Sequence, residues 1–366
     1  MRASGLIGVV ALSLWGCASA PQVEDSGPIF YPSLPSPPRI QFLKTFSSKT
    51  DLGKKASALA DFIAGSQDKE TDLINKPYGV AIHQGKILVV DTRGSGYGIF
   101  DLTLKEFRFV TGNAGGVMRK PINITVDASG NRFVTDTGRN QVLMFSPDDR
   151  FIRAYGTEKQ FKPSDVAVLG DRLYVADVGQ HKIHVLDRDT GSALFQFGKG
   201  GSKQGELFHP TNLAVSQQKT IFVSDTSNYR VQEFTADGKF LRQVGSVGSG
   251  LGKFARPKGI AIDREGRLYV VDAAFENVQI LNRDGKLLLF FGQPGDKRSN
   301  INLPTKVVVD YANAPLFQQF AAPGFQVEYV ILVASQFGVN KVNVYGFGKM
   351  AGIEYPSITE EVGGNR

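Results

Sequence analysis

The feature that most limits how this chain can fold is a proline that returns at almost constant spacing. Pro77, Pro121, Pro163, Pro210, Pro257 and Pro304 each follow a basic or apolar residue, at separations of 44, 42, 47, 47 and 47 residues. A period of this length belongs to a propeller or a solenoid, and every local motif has to be read inside it. Two neighbouring units, HPTNLAVSQQKTIFVSDTSNYRVQEFTADGKFLRQVG and RPKGIAIDREGRLYVVDAAFENVQILNRDGKLLLFFG, each contain four short apolar, β-branched or aromatic runs. Turn dipeptides such as Asp237-Gly238, Glu265-Gly266 and Asp284-Gly285 separate the runs, the signature of an antiparallel four-stranded sheet. One such sheet cannot bury both of its faces, whereas six set radially bury each face against a neighbour and leave only short edges. The expected fold is therefore all-β, a six-bladed β-propeller with four-stranded antiparallel blades.

The pattern Pro-x-Gly-Ile-Ala-Ile-Asp, then Tyr-Val-Val-Asp, then an apolar strand and a closing Gly resembles the NHL repeat. The resemblance covers residues 39–350, closest in the units beginning at His209 and Arg256 and weakest in the first unit after Asp91. In the sixth, LPTKVVVD supplies the inner strand, an insertion at 311–328 precedes VEYVILVAS, and Ser335 stands where the other units have Asp91, Asp136, Asp177, Asp225 and Asp272. That unit stops after KVNVYGF, one strand short. The missing outer strand is expected at 39–46, RIQFLKTF, which resembles the outer strands GKFLRQV and GKLLLFF and would close the ring. Leu52, Ala56, Leu59 and Ile63 approximate one face of a helix over 51–65, and residues 351–366 form a tail.

Ahead of the repeats, residues 1–16 carry Arg2, an apolar run from Leu6 to Trp15, and Gly16. The run is too short for a stable bilayer-spanning helix and reads as a cleaved export signal. Leu14-Trp15-Gly16-Cys17 resembles a bacterial lipobox, which implies acylation of Cys17, export, and anchoring in the cell envelope. Ala18 after the cysteine implies the outer membrane. Residues 17–38 hold Pro21, Pro28, Pro32, Pro35, Pro37 and Pro38, a composition that favours an extended, semi-rigid tether. If 39–46 is an outer strand running upward, the tether leaves from the lower face, beside the aromatics of the insertion.

One cysteine and four histidines exclude a disulfide-stapled fold and a cysteine-rich zinc site. The formal charge of +7 is not spread evenly. With each inner strand beginning at its proline, the inter-repeat loops and the turns between second and third strands share an upper face. Those loops hold Arg119, Lys120, Lys159, Lys162, Lys199, Lys203, Lys253, Arg256, Lys297, Arg298 and Lys306 against Glu158, Glu206 and Asp296. A basic face attracts acidic partners, and Arg93, Arg139, His181, Tyr229 and Arg230 add groups suited to polar recognition near the axis. An envelope protein, an anionic glycan or a lipid headgroup fits an exported chain, bound by a monomeric propeller; nucleic acid does not.

The recurring aspartates obey the repeat, which marks them as turn caps that accept backbone N–H groups. The second positions after the prolines, Gly79, Asn123, Asp165, Asn212, Gly259 and Lys306, should ring the mouth of the central channel. Asn123, Asp165 and Asn212 offer oxygen ligands of the kind a calcium ion accepts, though no cofactor is predicted outright. Resemblance to lactonase-like propellers, which bind a metal or substrate near this place, keeps a channel-based metal-dependent hydrolase or lyase as the alternative to a binding module. A zinc lyase of the peptidyl-amidoglycolate type would need converging histidines, and His83, His184 and His209 are not expected to converge. No Gly-x-Ser-x-Gly elbow is present.

Overall fold

Five of the six recurring prolines open an inner strand, where the missing N–H removes no ladder bond. In the computed structural model, which describes residues 27–53, 73–157 and 160–355, five inner strands run Pro77–His83, Pro121–Val126, Pro163–Leu169, Pro210–Val215 and Pro257–Ile262. The sixth, Asn302–Asp310, starts two residues before its proline. Every blade then adds antiparallel strands outward, and the inner strands touch one another in cyclic order, blade 6 returning to blade 1. The chain is a six-bladed β-propeller of four-stranded antiparallel blades, including a full set of four strands in the first.

The core is divided into six clusters, one between each pair of adjacent blades. Phe222, Val231, Phe254, Ile260 and Val270 join blades 4 and 5, for example, and Phe46, Val80, Phe100, Leu332 and Val344 join blades 6 and 1. This follows from strand periodicity: alternate side chains point to opposite faces, so each blade contributes to two clusters.

Blade 6 is composite. Ile40–Phe46 pairs antiparallel with Val342–Met350, Ile40 opposite Phe347 and Phe46 opposite Val342, and supplies the outer strand. A fifth strand then corrects the picture of a free tether: Phe30–Tyr31 pairs with Gln41 and Ile40. The prolines around it do not keep this segment off the blade, because Phe30 is buried and the Tyr31 ring packs on Phe291 and Tyr345. The added strand also reverses the direction of exit. It runs antiparallel to Ile40–Phe46, so Gly27 lies toward the upper rim, where Arg298 Nη1 donates to its carbonyl at 3.5 Å.

The insertion in blade 6 is shorter than expected, since its second strand spans Phe325–Phe337. It holds a helical turn, Ala314–Phe317, followed by a 3₁₀ turn, Gln318–Phe320. Phe317 and Phe325 are buried, and the Tyr311 ring lies 4.6 Å from that of Tyr329; Phe317 packs into the cluster between blades 6 and 1 and Tyr311 against the one between blades 5 and 6. Of the helix expected over 51–65, only the 3₁₀ turn Lys49–Leu52 falls within the described residues; residues 1–26 and 356–366 also lie outside them. Among the described residues, no helix is long and apolar enough to cross a membrane.

Candidate binding face and channel mouth

The recurring aspartates build the upper face. Asp136 accepts from the backbone N–H groups of Arg119 and Lys120, just before the inner strand, and of Gly138 and Arg139, in the turn after the second strand. Asp91 and Asp272 repeat this four-donor clasp. One carboxylate thus ties the inter-blade loop to the turn, which places both on the same face. Asp177 does the same with three N–H groups and also meets His184 Nε2 at 3.0 Å. Burial raises its pKa, but the hydrogen bonds from His184 and the backbone outweigh that and hold it below the usual carboxylate value.

At the channel mouth the ladder of every inner strand shifts register just after the proline, and such a bulge re-aims a side chain. The six ring positions converge there. Gly79 and Gly259 are the points of closest approach: a Cβ would lie 2.7 Å from the Asn123 Cα in one and 2.5 Å from the Lys306 Cα in the other. Asn123, Asp165 and Asn212 are fully buried. Blades 3 and 6 stand opposite each other, and Lys306 spans the axis to put its Nζ 2.6 Å from Asp165 Oδ2. The same oxygen accepts from the Leu213 N–H at 3.0 Å and from Asn212 Nδ2 at 3.4 Å, while the Val166 N–H donates to Oδ1 at 2.9 Å.

This arrangement corrects the placing of Lys306 among the upper loops, since its ammonium lies inside the channel. It also bears on calcium. The one carboxylate of the donor set is committed to an internal cation, and Asn123 Oδ1 and Asn212 Oδ1 are the remaining oxygens without partners. A site with one engaged carboxylate and an ammonium in its midst does not fit a divalent ion. Among the described residues no three His, Cys, Asp or Glu groups are poised around a common point.

The other candidates divide. Arg93 and Tyr229 are exposed on the upper face. Arg139 is half-buried and donates to Gln141 Oε1 and to the Val117 carbonyl. Arg230 is not a free recognition group. It is buried, with Nε on Asp225, Nη1 on Gln243 and Nη2 on the carbonyls of Lys203 and Glu206, all within 2.9 Å. The His181 ring lies 4.7 Å from that of His209, and the His209 backbone N–H donates to His181 Nδ1 at 3.1 Å. Burial, then the His209 ring, push His181 below the ordinary imidazole value. His184 is held on Asp177, and His83 lines a small cavity of about 40 Å³ between blades 1 and 2, so neither joins them.

Three surface residues were not among the candidates. Phe208 is 42% exposed beside His181, and its position before His209-Pro210 was the available signal. Lys258 and Tyr78, each the first residue after a proline, meet at 3.2 Å; a ring made of second positions passes over both.

Comparison with known proteins agrees with this architecture. The model of the family DUF5128, described as a 6-bladed β-propeller, matches residues 209–284. Protein brain tumor of Drosophila melanogaster is 35% identical over 89 residues, which is 23% of this chain and 8% of that protein. A probable peptidyl-α-hydroxyglycine α-amidating lyase of Caenorhabditis elegans is 28% identical over 105 residues, 27% of this chain and 30% of the lyase. The chain therefore spans less than a third of either relative. Among solved structures, a Bacteroides thetaiotaomicron protein of unknown function aligns with a TM-score of 0.58 and 18% identity over 83% of this chain and 75% of its own. A gluconolactonase from Xanthomonas campestris aligns with a TM-score of 0.55 and 16% identity over 87% and 97%. At such identities the likeness is one of fold. The chain is a six-bladed β-propeller.

Proposed function

We propose that this propeller is an exported, lipid-anchored binding platform of the bacterial envelope that presents its upper face to an acidic partner: a protein, an anionic glycan or a lipid headgroup. The observation that carries this reading is the Lys306–Asp165 pair across the channel. A propeller enzyme of the lactonase type would work at this point, and here the functional groups neutralise one another. Around the closed mouth, Arg93, Arg119, Lys120, Lys162, Lys199, Lys203, Lys253, Arg256, Lys297 and Arg298 remain exposed. Loops held on a rigid scaffold are the usual carriers of recognition, and a surplus of one charge steers an oppositely charged partner.

The anchor enters through the sequence. If Cys17 carries the lipid, the ten residues from there to Gly27 reach at most about 35 Å, and Gly27 lies toward the upper rim. The basic face would then be turned toward the membrane to which the chain is tied, with outer-membrane placement following from Ala18.

Photo-reactive groups placed at Lys203 and Lys253 on the upper face, and at Lys86 and Lys239 on lower turns, test the reading in intact cells. Capture of a defined acidic species from the upper positions alone is expected. Equal capture from both faces, or turnover of a lactone by the purified chain, would overturn it.

A further inference from the structure

A second site lies away from the upper face, on the lower rim between blades 5 and 6. There a cleft of about 630 Å³ opens beside the outer strand of blade 5, a size that suits a small molecule. One wall is apolar, with Ile280, Leu288 and Leu289 facing Pro32 and Pro37, and Leu288 is 48% exposed. The opposite wall is cationic. Arg39 lies between two rings, its guanidinium carbon 4.5 Å from the centre of Phe347 and 5.0 Å from that of Tyr355. Tyr355 is itself fixed, donating to the Pro38 carbonyl and accepting from the Met350 N–H, both at 2.8 Å.

The charge on Arg39 is loosely matched. Its Nη2 is 3.9 Å from Glu328 Oε2, and Lys349 Nζ is 3.8 Å from Glu328 Oε1. Both distances exceed a hydrogen bond, and two cations share one carboxylate. Deeper in, Arg267 is held by two carboxylates, Asp263 and Glu265, so cations and carboxylates around the cleft are equal in number, but among the described residues Arg39 and Lys349 have Glu328 alone between them. Stacking between rings holds a guanidinium flat with its edge donors outward, the geometry that grips a carboxylate with two parallel bonds.

We infer that this cleft binds an amphiphilic carboxylate, its head between Arg39 and Lys349 and its apolar body along Leu288, Leu289 and Ile280. The apolar wall alone would not select a ligand; the two under-matched cations at its end do. This site does not depend on the upper face being a platform.

Titration of the full chain with decanoate, followed by displacement of a fluorescent anilinonaphthalene sulfonate, tests the assignment. One saturable site per chain is expected, with 1-decanol binding at least tenfold more weakly because it lacks the head charge. Lys349→Glu and Leu288→Asp, both at exposed positions and checked by unchanged melting temperature, should each weaken decanoate at least tenfold; Lys349→Ala should fall between. No saturation up to the millimolar range, decanol equal to decanoate, or affinities in both variants within twofold of the unaltered chain would overturn the assignment.

Discussion

Blades 5 and 6 carry the same sheet but are fastened by different means. In blade 5 one buried carboxylate, Asp272, receives N–H groups from Ala255 and Arg256 before the inner strand and from Ala274 and Phe275 in the following turn. In blade 6 the equivalent residue is Ser335, whose Oγ is buried without a partner. Its loop is held by other groups: the Leu303 N–H donates to Glu276 of blade 5 at 2.7 Å, while Asn340, Asn343 and Tyr345 of blade 6 itself donate to the carbonyls of Asn300 and Ser299. Its outer strands come from the other end of the chain. A blade made of contiguous chain is organised by a local polar clasp, whereas the closing blade relies on remote segments. Ordering such segments carries a loop-closure cost that grows only slowly with length, which buried rings can offset.

The sharpest way to break this contrast is to weaken the closing strand. Phe46 is 1% exposed and its ring sits 5.6 Å from Phe100 and 6.4 Å from Phe317, bridging the first and last blades. Phe46→Ala should cost about 3–5 kcal/mol, the range for removing a buried ring, read by urea unfolding. Proteolysis within 27–53 should precede cleavage elsewhere. A loss below ~1 kcal/mol would mean that the ring holds without this strand.

The clasp comes next in size. Asp272→Ala leaves four backbone N–H groups to find water or stay unpaired; unsatisfied buried donors cost about 1–3 kcal/mol each when water cannot reach them. Because these loops lie at the surface, a net loss of about 2–4 kcal/mol is expected. Ser335→Ala removes a hydroxyl that has no partner and should change stability by less than ~1 kcal/mol. If the two substitutions cost the same, the distinction between local and remote fastening is lost.

How much of this could be read beforehand depends on whether a residue's role repeats. Strand number, blade number and the aspartate clasp recur at a fixed offset from a proline, so periodicity exposes them. The Lys306–Asp165 pair does not recur. Both residues were legible as ring members, but that one would span the axis depends on two side-chain lengths across blades 141 residues apart. Arg230 looked available because its position in a turn is visible in one dimension, while its four acceptors come from three separate segments. The Pro-rich stretch misled for the converse reason. Composition argued for an extended tether, and Ile29-Phe30-Tyr31 among the prolines was the counter-signal: a short apolar run able to add a strand to an open edge.

The smallest effect separates the blades by pH. Of the four histidines His83 lies in blade 1, His181 and His184 in blade 3, and His209 in the loop between blades 3 and 4, and none lies in blade 6. His181 has a pKa lowered from 6.5 by burial and by His209, with Asp177 and Asp225 opposing. Its folded form therefore holds fewer protons than the unfolded chain, so its share of stability is intact above pH 6.5 and shrinks as the pH falls below it. Asp177, also lowered from its ordinary 3.8, keeps its contribution until the pH drops through the carboxylate range, which separates the two windows. His181 has a φ of 58°, a conformation that asparagine tolerates, so His181→Asn removes the titration with little strain. Amide protection factors in the loop before Pro210, corrected for the intrinsic pH dependence of exchange, should fall from pH 7 to 5 in the unaltered chain and less so in this variant, while blade 6 shows no such step. Identical pH slopes in the two proteins would place the sensitivity elsewhere.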